Sequence, residues 1–249
     1  MSPLYLVLTV ILGIIAGFVN TLAGGGSLLT LPFLVFLGLD ASVANATNRV
    51  AILLQNVVAT WRFKKEGVVD LKEAAWLSAP AAVGAVVGTL IAVQIDEKLL
   101  QLAIALLISV MAVLLVTRPS MWESHEEKNT PVWVKCLLFF GIGVYGGFIQ
   151  AGVGFLLIWT LAGVLGKDLV RTNGLKVTIV LFYTVISLGL FMSYGMVNYG
   201  YGLALAAGNM TGAVLGTRFA VARGNRWLRY ILAVVVILSA FRMLLRALC

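Results

Sequence analysis

Arg49 stands about a third of the way along an apolar run, among amide side chains. Asn45, Asn48, Arg49, Ile52, Gln55 and Asn56 recur at steps of three and four residues. Asn45, Asn48, Arg49 and the Gln55–Asn56 pair can therefore share one helical face. A second apolar run carries Asn173 and Lys176, then Tyr183, Thr184 and Ser187 on a similar stripe. An arginine in a membrane-spanning helix costs at least about 2.5 kcal/mol on insertion scales, so it needs a partner or a wet cavity. All ten carboxylates (Asp40, Glu66, Asp70, Glu73, Asp96, Glu97, Glu123, Glu126, Glu127 and Asp168) fall in connections or at the ends of apolar runs. None is an obvious partner for Arg49 or Lys176, and the pairing those two cations lack is an anion. The competing reading of Arg49 is snorkelling to the interface or hydrogen bonding to carbonyls at a helix break.

The same shortage of carboxylates argues against catalysis. Acid–base or nucleophilic chemistry needs carboxylates, histidine or an activated nucleophile within hydrogen-bond reach, and the apolar runs supply neither of the first two. The only histidine, His125, lies in a charged loop, and Cys136 and Cys249 fit no metal spacing or disulfide framework. No cofactor and no metal are expected. With no intramembrane Asp, Glu or His to relay protons, coupling to H+ or Na+ would have to use the substrate's own proton or a cation held by backbone carbonyls, and otherwise the anion gradient alone would drive transport.

The elements that must position these side chains are interrupted helices. The interruptions are Thr21-Leu22-Ala23-Gly24-Gly25-Gly26-Ser27 and Gln150-Ala151-Gly152-Val153-Gly154. Each is followed by an apolar segment of about a dozen residues, roughly 18 Å of helix against about 30 Å of hydrocarbon. Such a segment does not cross alone; with the run before it, it makes a hairpin or broken helix. Its free N–H groups and the positive end of its dipole suit an anion, and interrupted backbone survives in lipid only where protein buries it or a cavity solvates it. Asn20, Ser27 and Gln150 flank the breaks. Glycines that only allow close helix packing are the alternative.

Composition places the whole chain in a bilayer. Of 249 residues 61% are apolar and only 11% charged, with a mean hydropathy of +1.03. A soluble domain is about a quarter charged. The net charge of +8 sits mostly in short connections, which suits topology and anionic headgroups rather than nucleic acid. The N-terminal apolar run lacks a basic leader and a small-residue cleavage site and reads as part of the mature protein. The expected setting is a multi-pass protein of a bacterial inner membrane, with the lipid bilayer and a small anion as its partners.

The chain also matches itself at a shift of 128 residues. Gly24, Gly26, Leu28 and Leu29 fall on Gly152, Gly154, Leu156 and Leu157; Gly38, Asp40 and Asn45 fall on Gly166, Asp168 and Asn173. Gly84-Ala85-Val86, Gly88 and Thr89 fall on Gly212-Ala213-Val214, Gly216 and Thr217. This predicts two halves, 1–116 and 132–249, joined by a polar linker at 117–131. Each half holds five apolar segments: 4–22, 27–37, 43–61, 74–93 and 99–116, then 132–150, 154–165, 169–194, 200–222 and 227–248. The connection after the third segment is basic in the first half (Arg62, Lys64, Lys65, Lys72) and uncharged in the second. The connection after the fourth is nearly neutral in the first half and basic in the second (Arg218, Arg223, Arg226, Arg229). By the positive-inside rule the halves face opposite ways, giving an all-α polytopic membrane protein of two inverted-topology repeats whose broken helices meet near the midplane. Asp40 and Asp168 suit N-caps, and Gly84/Gly88 and Gly212/Gly216 suit close helix packing.

The run Ala16-Gly-Phe-Val-Asn-Thr-Leu-Ala-Gly-Gly-Gly-Ser-Leu-Leu-Thr-Leu-Pro32, with Ala46-Thr47-Asn48-Arg49, resembles the TauE/SafE sulfite-exporter family, also called TSUP or DUF81. The echoes are Gly146-Gly-Phe-Ile-Gln-Ala-Gly-Val-Gly154 and Asn173-Gly-Leu-Lys176, so the resemblance spans nearly the whole chain. It implies transport of a small sulfur-containing anion: sulfite, thiosulfate or an organosulfonate such as sulfoacetate. Carried over, it points to Gly24, Gly25, Gly26, Ser27, Asn48 and Arg49, and to Gln150, Gly152, Gly154, Asn173 and Lys176; Asn20 joins them beside the first break. Val153 replaces a glycine of the first run, which suggests that one half donates more to the ligand. The expected mechanism is alternating access. A passive anion channel would share every one of these residues.

Overall fold

The computed structural model describes residues 3–104, 106 and 129–248, with the backbone alone over 224–248. All regular structure among the described residues is helical. The helices are α1 (Pro3–Leu22), α2 (Ser27–Phe36), α3 (Ala41–Lys65), α4 (Leu71–Gln94), α5 (Val132–Phe148), α6 (Val153–Ile158, continued by wider π turns over Trp159–Val164), α7 (Leu169–Ser193) and α8 (Tyr199–Leu248). Residues 97–104 are helical as well. Most of the fifth apolar segment and of the linker at 117–131 lie outside the described residues.

Three of these helices are long and apolar enough to cross a membrane, over Leu4–Leu22, Leu71–Gln94 and Leu169–Ser193. Their outer faces carry Leu4, Val7, Ile11, Ile15, Val83, Val87 and Ile186, uncovered by protein, as lipid-facing positions should be. The polar side chains are instead inside: Asn45, Asn48, Arg49, Gln55, Gln150, Lys176 and Asn209 are all buried. Polar inside and apolar outside reverses the usual soluble pattern, because lipid leaves no water to satisfy a polar group.

Close crossings rest on glycine. At the α4–α5 crossing a Cβ on Gly88 would lie 1.9 Å from the Val144 carbonyl oxygen. At the α1–α8 crossing one on Gly17 would lie 2.3 Å from that of Asn209. Gly84 and Gly212 occupy matching contacts against Phe140 and Ile14, so both Gly-x-x-x-Gly faces pack helix on helix. α4 therefore packs on α5, and α8 on α1, each pairing across the two halves of the sequence. Among the described residues all six with positive φ are glycines, in three pairs 128 residues apart: 24 and 152, 38 and 166, 67 and 195.

The helix starts depart from the sequence reading in one respect. Asp168 caps α7 by accepting from the Val170 and Arg171 amides, 3.0 Å each. Asp40 stands at the matching place before α3, yet its side chain makes no capping bond. Glu97, at the start of the helical stretch 97–104 beyond α4, takes over that task, accepting from the Ala41 and Ser42 amides at 2.5 and 3.2 Å. Burial alone would push the Glu97 carboxyl up. The hydrogen bonds from Ser42, Ala41 and Gln101 outweigh it and hold the group below the usual carboxylate range.

A second departure concerns the end of the chain. The segments expected at 200–222 and 227–248 run together as the single helix α8. The stretch between them holds one glycine, Gly224, and no proline. A lone glycine costs a helix only about 1 kcal/mol, so polarity without a breaker did not interrupt it.

Candidate functional site

The two glycine breaks touch. A Cβ on Gly24 would fall 2.4 Å from the Gly154 Cα, and one on Gly154 would fall 2.3 Å from the Gly24 Cα. Gly24 and Gly152 both adopt left-handed backbone, φ 81° and 79°, which a side chain would strain. Gly26 is pressed on the Ala16 carbonyl oxygen, 2.2 Å from its would-be Cβ, and Gly25 lies under the Phe155 ring. In the second break the Tyr145 hydroxyl donates to the Ala151 carbonyl at 2.6 Å.

Each buried cation closes the C-terminal end of the broken helix from the other half. Arg49, fully buried, donates from Nη1 to the Gly146 carbonyl (2.9 Å) and Gln150 Oε1 (3.2 Å), and from Nη2 to the Gly147 carbonyl (2.7 Å). Its guanidinium also lies 4.8 Å from the centroid of the Phe191 ring. Lys176, 2% exposed, donates to the Asn20 and Thr21 carbonyls at 3.1 and 2.9 Å and to Asn173 Oδ1 at 2.6 Å. These carbonyls end α5 and α1, where the helix dipole is negative and free oxygens remain. Carbonyl bonding at a helix break, the competing sequence reading of Arg49, is thus part of its arrangement. Neither cation has a carboxylate among its hydrogen-bond partners, so dipoles stabilise both charges without neutralising them.

The amide side chains bind the elements together. Asn48 donates to Ser27 Oγ at 3.2 Å and accepts from Thr30 Oγ1 at 2.7 Å, tying α3 to the short helix α2. Asn45 donates to the Phe148 carbonyl at 2.7 Å. Gln150 donates to Thr184 Oγ1 at 3.1 Å while accepting from Arg49. Asn20 and Asn209 both donate to Gln55 Oε1, at 3.2 and 3.1 Å. Asn209 is the residue that sequence reasoning missed; its signal was a buried-type amide one step after Gly208 inside an apolar run.

Between the breaks lies a cavity of about 10 Å³, lined by the polar residues Asn20, Ser27, Asn56, Gln150 and Lys176, by Gly154, and by the apolar Ile52, Val153, Val177 and Val180. That is room for roughly one water molecule. Five of the substrate-binding candidates from the sequence, Asn20, Ser27, Gln150, Gly154 and Lys176, line it, and so does Asn56 from the polar face of α3. Arg49, Asn48 and Asn173 stand one contact behind, through Gln150, Ser27 and Lys176. Among the described residues the amides of Gly25, Gly26 and Ser27 have no backbone acceptor, leaving the donors expected at the first turn of α2. In the second half the Val153 and Phe155 amides are already engaged with Gln150 and Gly152, so the two breaks are not equivalent as donors.

Residues 9–243 match the family model "Sulfite exporter TauE/SafE". Among curated proteins the chain is 28% identical to a probable membrane transporter protein of Sinorhizobium sp over 231 residues, 92% of this chain and 88% of the relative. It is 25% identical to the probable membrane transporter protein YfcA of Escherichia coli (strain K12), with 98% and 91% covered. It is 23% identical to the probable membrane transporter protein YjnA of Bacillus subtilis (strain 168), with 94% and 98% covered. No solved structure matches.

Proposed function

Because the chain belongs to the sulfite exporter TauE/SafE family and is a multi-pass membrane transporter rather than an enzyme, we propose that it carries a small sulfur oxyanion through the cavity between its two breaks. The candidates are sulfite, thiosulfate and an organosulfonate such as sulfoacetate. One observation carries this reading. Two buried cations close the helix ends at the touching breaks with no carboxylate partner among the described residues, and one of them, Lys176, lines the cavity. A site of that charge favours an anion and resists cations. Lys176 would meet the substrate, and Ser27, which lines the cavity at the first turn of α2, would coordinate its oxygens. Arg49 would act from behind, fixing Gln150 and adding positive potential.

The same reading takes the halves 1–116 and 132–249 as inverted repeats that rock to alternate access. Three features support it: the paired left-handed glycines at a spacing of 128, the cross-half packing of α4 on α5 and α8 on α1, and the position of the connections. The connection after α3 lies at a basic end, where Glu73 pairs with Lys167 and Arg171 at 2.7 Å each. The matching connection after α7 lies at the other end, where the Asn198 amide donates to Thr47 Oγ1. A cavity holding one water is several times too small for a sulfur oxyanion. Uptake therefore requires the breaks to part, which suits a carrier better than a standing channel.

The test is uptake into proteoliposomes of sulfite, thiosulfate, sulfoacetate and taurine. Saturable flux of at least one, with counterflow, lost in Lys176→Met, is the expected result. Linear flux without counterflow would convert the carrier into a channel. Full activity of Lys176→Met in a folded protein would remove the site.

A further inference from the structure

The face of α3 that looks into the cavity extends past Arg49. Asn48, Ile52 and Asn56 follow at steps of four, and Ile52 and Asn56 both line the cavity. Asn56 is 1% exposed, and its amide nitrogen has no acceptor among the described residues. Buried amide nitrogens are almost always satisfied, so an unsatisfied one in a cavity wall needs a cause.

Comparison with the second half supplies it. Position 184 lies 128 residues after Asn56, and there Thr184 accepts from Nε2 of Gln150, the amide side chain beside the second break. Asn20 is the amide beside the first break, and it turns to Gln55 instead. The side chain that engages position 184 in one half thus leaves Asn56 unengaged in the other. This unpartnered donor belongs to a residue that lines the same small space as Lys176 and Ser27.

We propose that Asn56 is a substrate ligand, its Nδ2 donating to an oxygen of the transported anion. This rests on the oxyanion reading above and extends it by a residue that neither the glycine runs nor the cations mark. The lining then combines two kinds of residue. Asn56, Lys176 and Ser27 hold oxygens, while Ile52, Val177 and Val180 offer nothing to a further polar group.

The experiment compares wild type, Asn56→Leu, Asn56→Asp and Gln55→Leu in proteoliposomes with radiolabelled sulfite, thiosulfate and sulfoacetate, and by thermal unfolding in detergent. A hydrogen bond to a charged ligand is strong enough that Asn56→Leu should raise KM by about 10-fold or more. It should leave the melting temperature at or above wild type, because no protein hydrogen bond of that nitrogen is lost. Asn56→Asp, of the same shape but anionic, should abolish uptake. Gln55→Leu strands two donors and should lower the melting temperature, which gives the signature of a purely structural amide. A KM within about twofold of wild type in Asn56→Leu overturns the inference alone. So does a loss of stability as large as that of Gln55→Leu. Wild type that moves none of the three anions takes down the site reading and this inference together.

Discussion

Replacing Gly154 by alanine tests whether the contact between the breaks holds the site. The substitution has two opposing effects. Gly154 lies in the first turn of α6 without positive φ, so alanine gains up to about 1 kcal/mol of helix propensity. Against this, its Cβ would sit 2.3 Å from the Gly24 Cα and 2.8 Å from the Gly24 oxygen, where ordinary contact begins at 3.4 Å. The colliding atoms are backbone on both sides, so no rotamer relieves them and the breaks must move apart by about an ångström. Overpacking of this kind costs typically about 1–3 kcal/mol, and sometimes more, so the clash wins. Gly24→Ala should be worse, since it adds left-handed strain of about 1–2 kcal/mol to the same collision. The double variant should cost less than the sum, because one separation relieves both contacts. Gly189→Ala in α7 is the control: a Cβ there meets nothing within 4 Å, and only the propensity gain should remain. Thermal unfolding followed by tryptophan fluorescence, with uptake assays alongside, reads all four. The order of stability should be Gly189→Ala, wild type, Gly154→Ala, Gly24→Ala. Gly154→Ala matching the control in stability, with wild-type uptake, would refute the idea that backbone contact between the breaks shapes the site.

Two further outcomes follow from the same geometry. Arg49→Lys keeps the charge but loses the fork that spans Gly146, Gly147 and Gln150, and Thr89 can still serve only the Gly147 carbonyl. Each acceptor left bare costs about 1–3 kcal/mol, so a lower melting temperature and weaker uptake are expected, and wild-type values in both assays would contradict the clamp. At Glu97 the folded pKa lies below the unfolded one. Its stabilisation is therefore fully present above the ordinary carboxylate pKa and lost as pH falls through the lowered value. Glu97→Gln should be less stable than wild type near neutrality and show a flatter melting curve across that acidic window; parallel curves would exclude Glu97 as the cap of α3.

The membrane class was legible from composition alone, because apolar runs of bilayer length can be buried in few other ways. The breaks were legible because glycines recur at a fixed spacing, and the backbone places left-handed turns at Gly24 and Gly152. The cations were conspicuous because charge inside an apolar run is costly. What they bind was hidden. The acceptors of Arg49 and Lys176 are mostly main-chain carbonyls, which every residue owns and no side-chain pattern marks. Asn209 was hidden for a related reason: its bond to Gln55 depends on α8 lying against α3, with 154 residues of sequence between the two side chains. The cap of α3 was misplaced because Asp40 has the right type and position, while Glu97 reaches the same amides only once α4 has returned the chain to that end. Sequence by itself therefore determined the solvent, the repeat spacing, the breaks and the charges. Tertiary structure alone decided which helix end each charge closes and which amide faces the cavity unengaged, because hydrogen-bond partners are chosen by proximity in space and not by residue type.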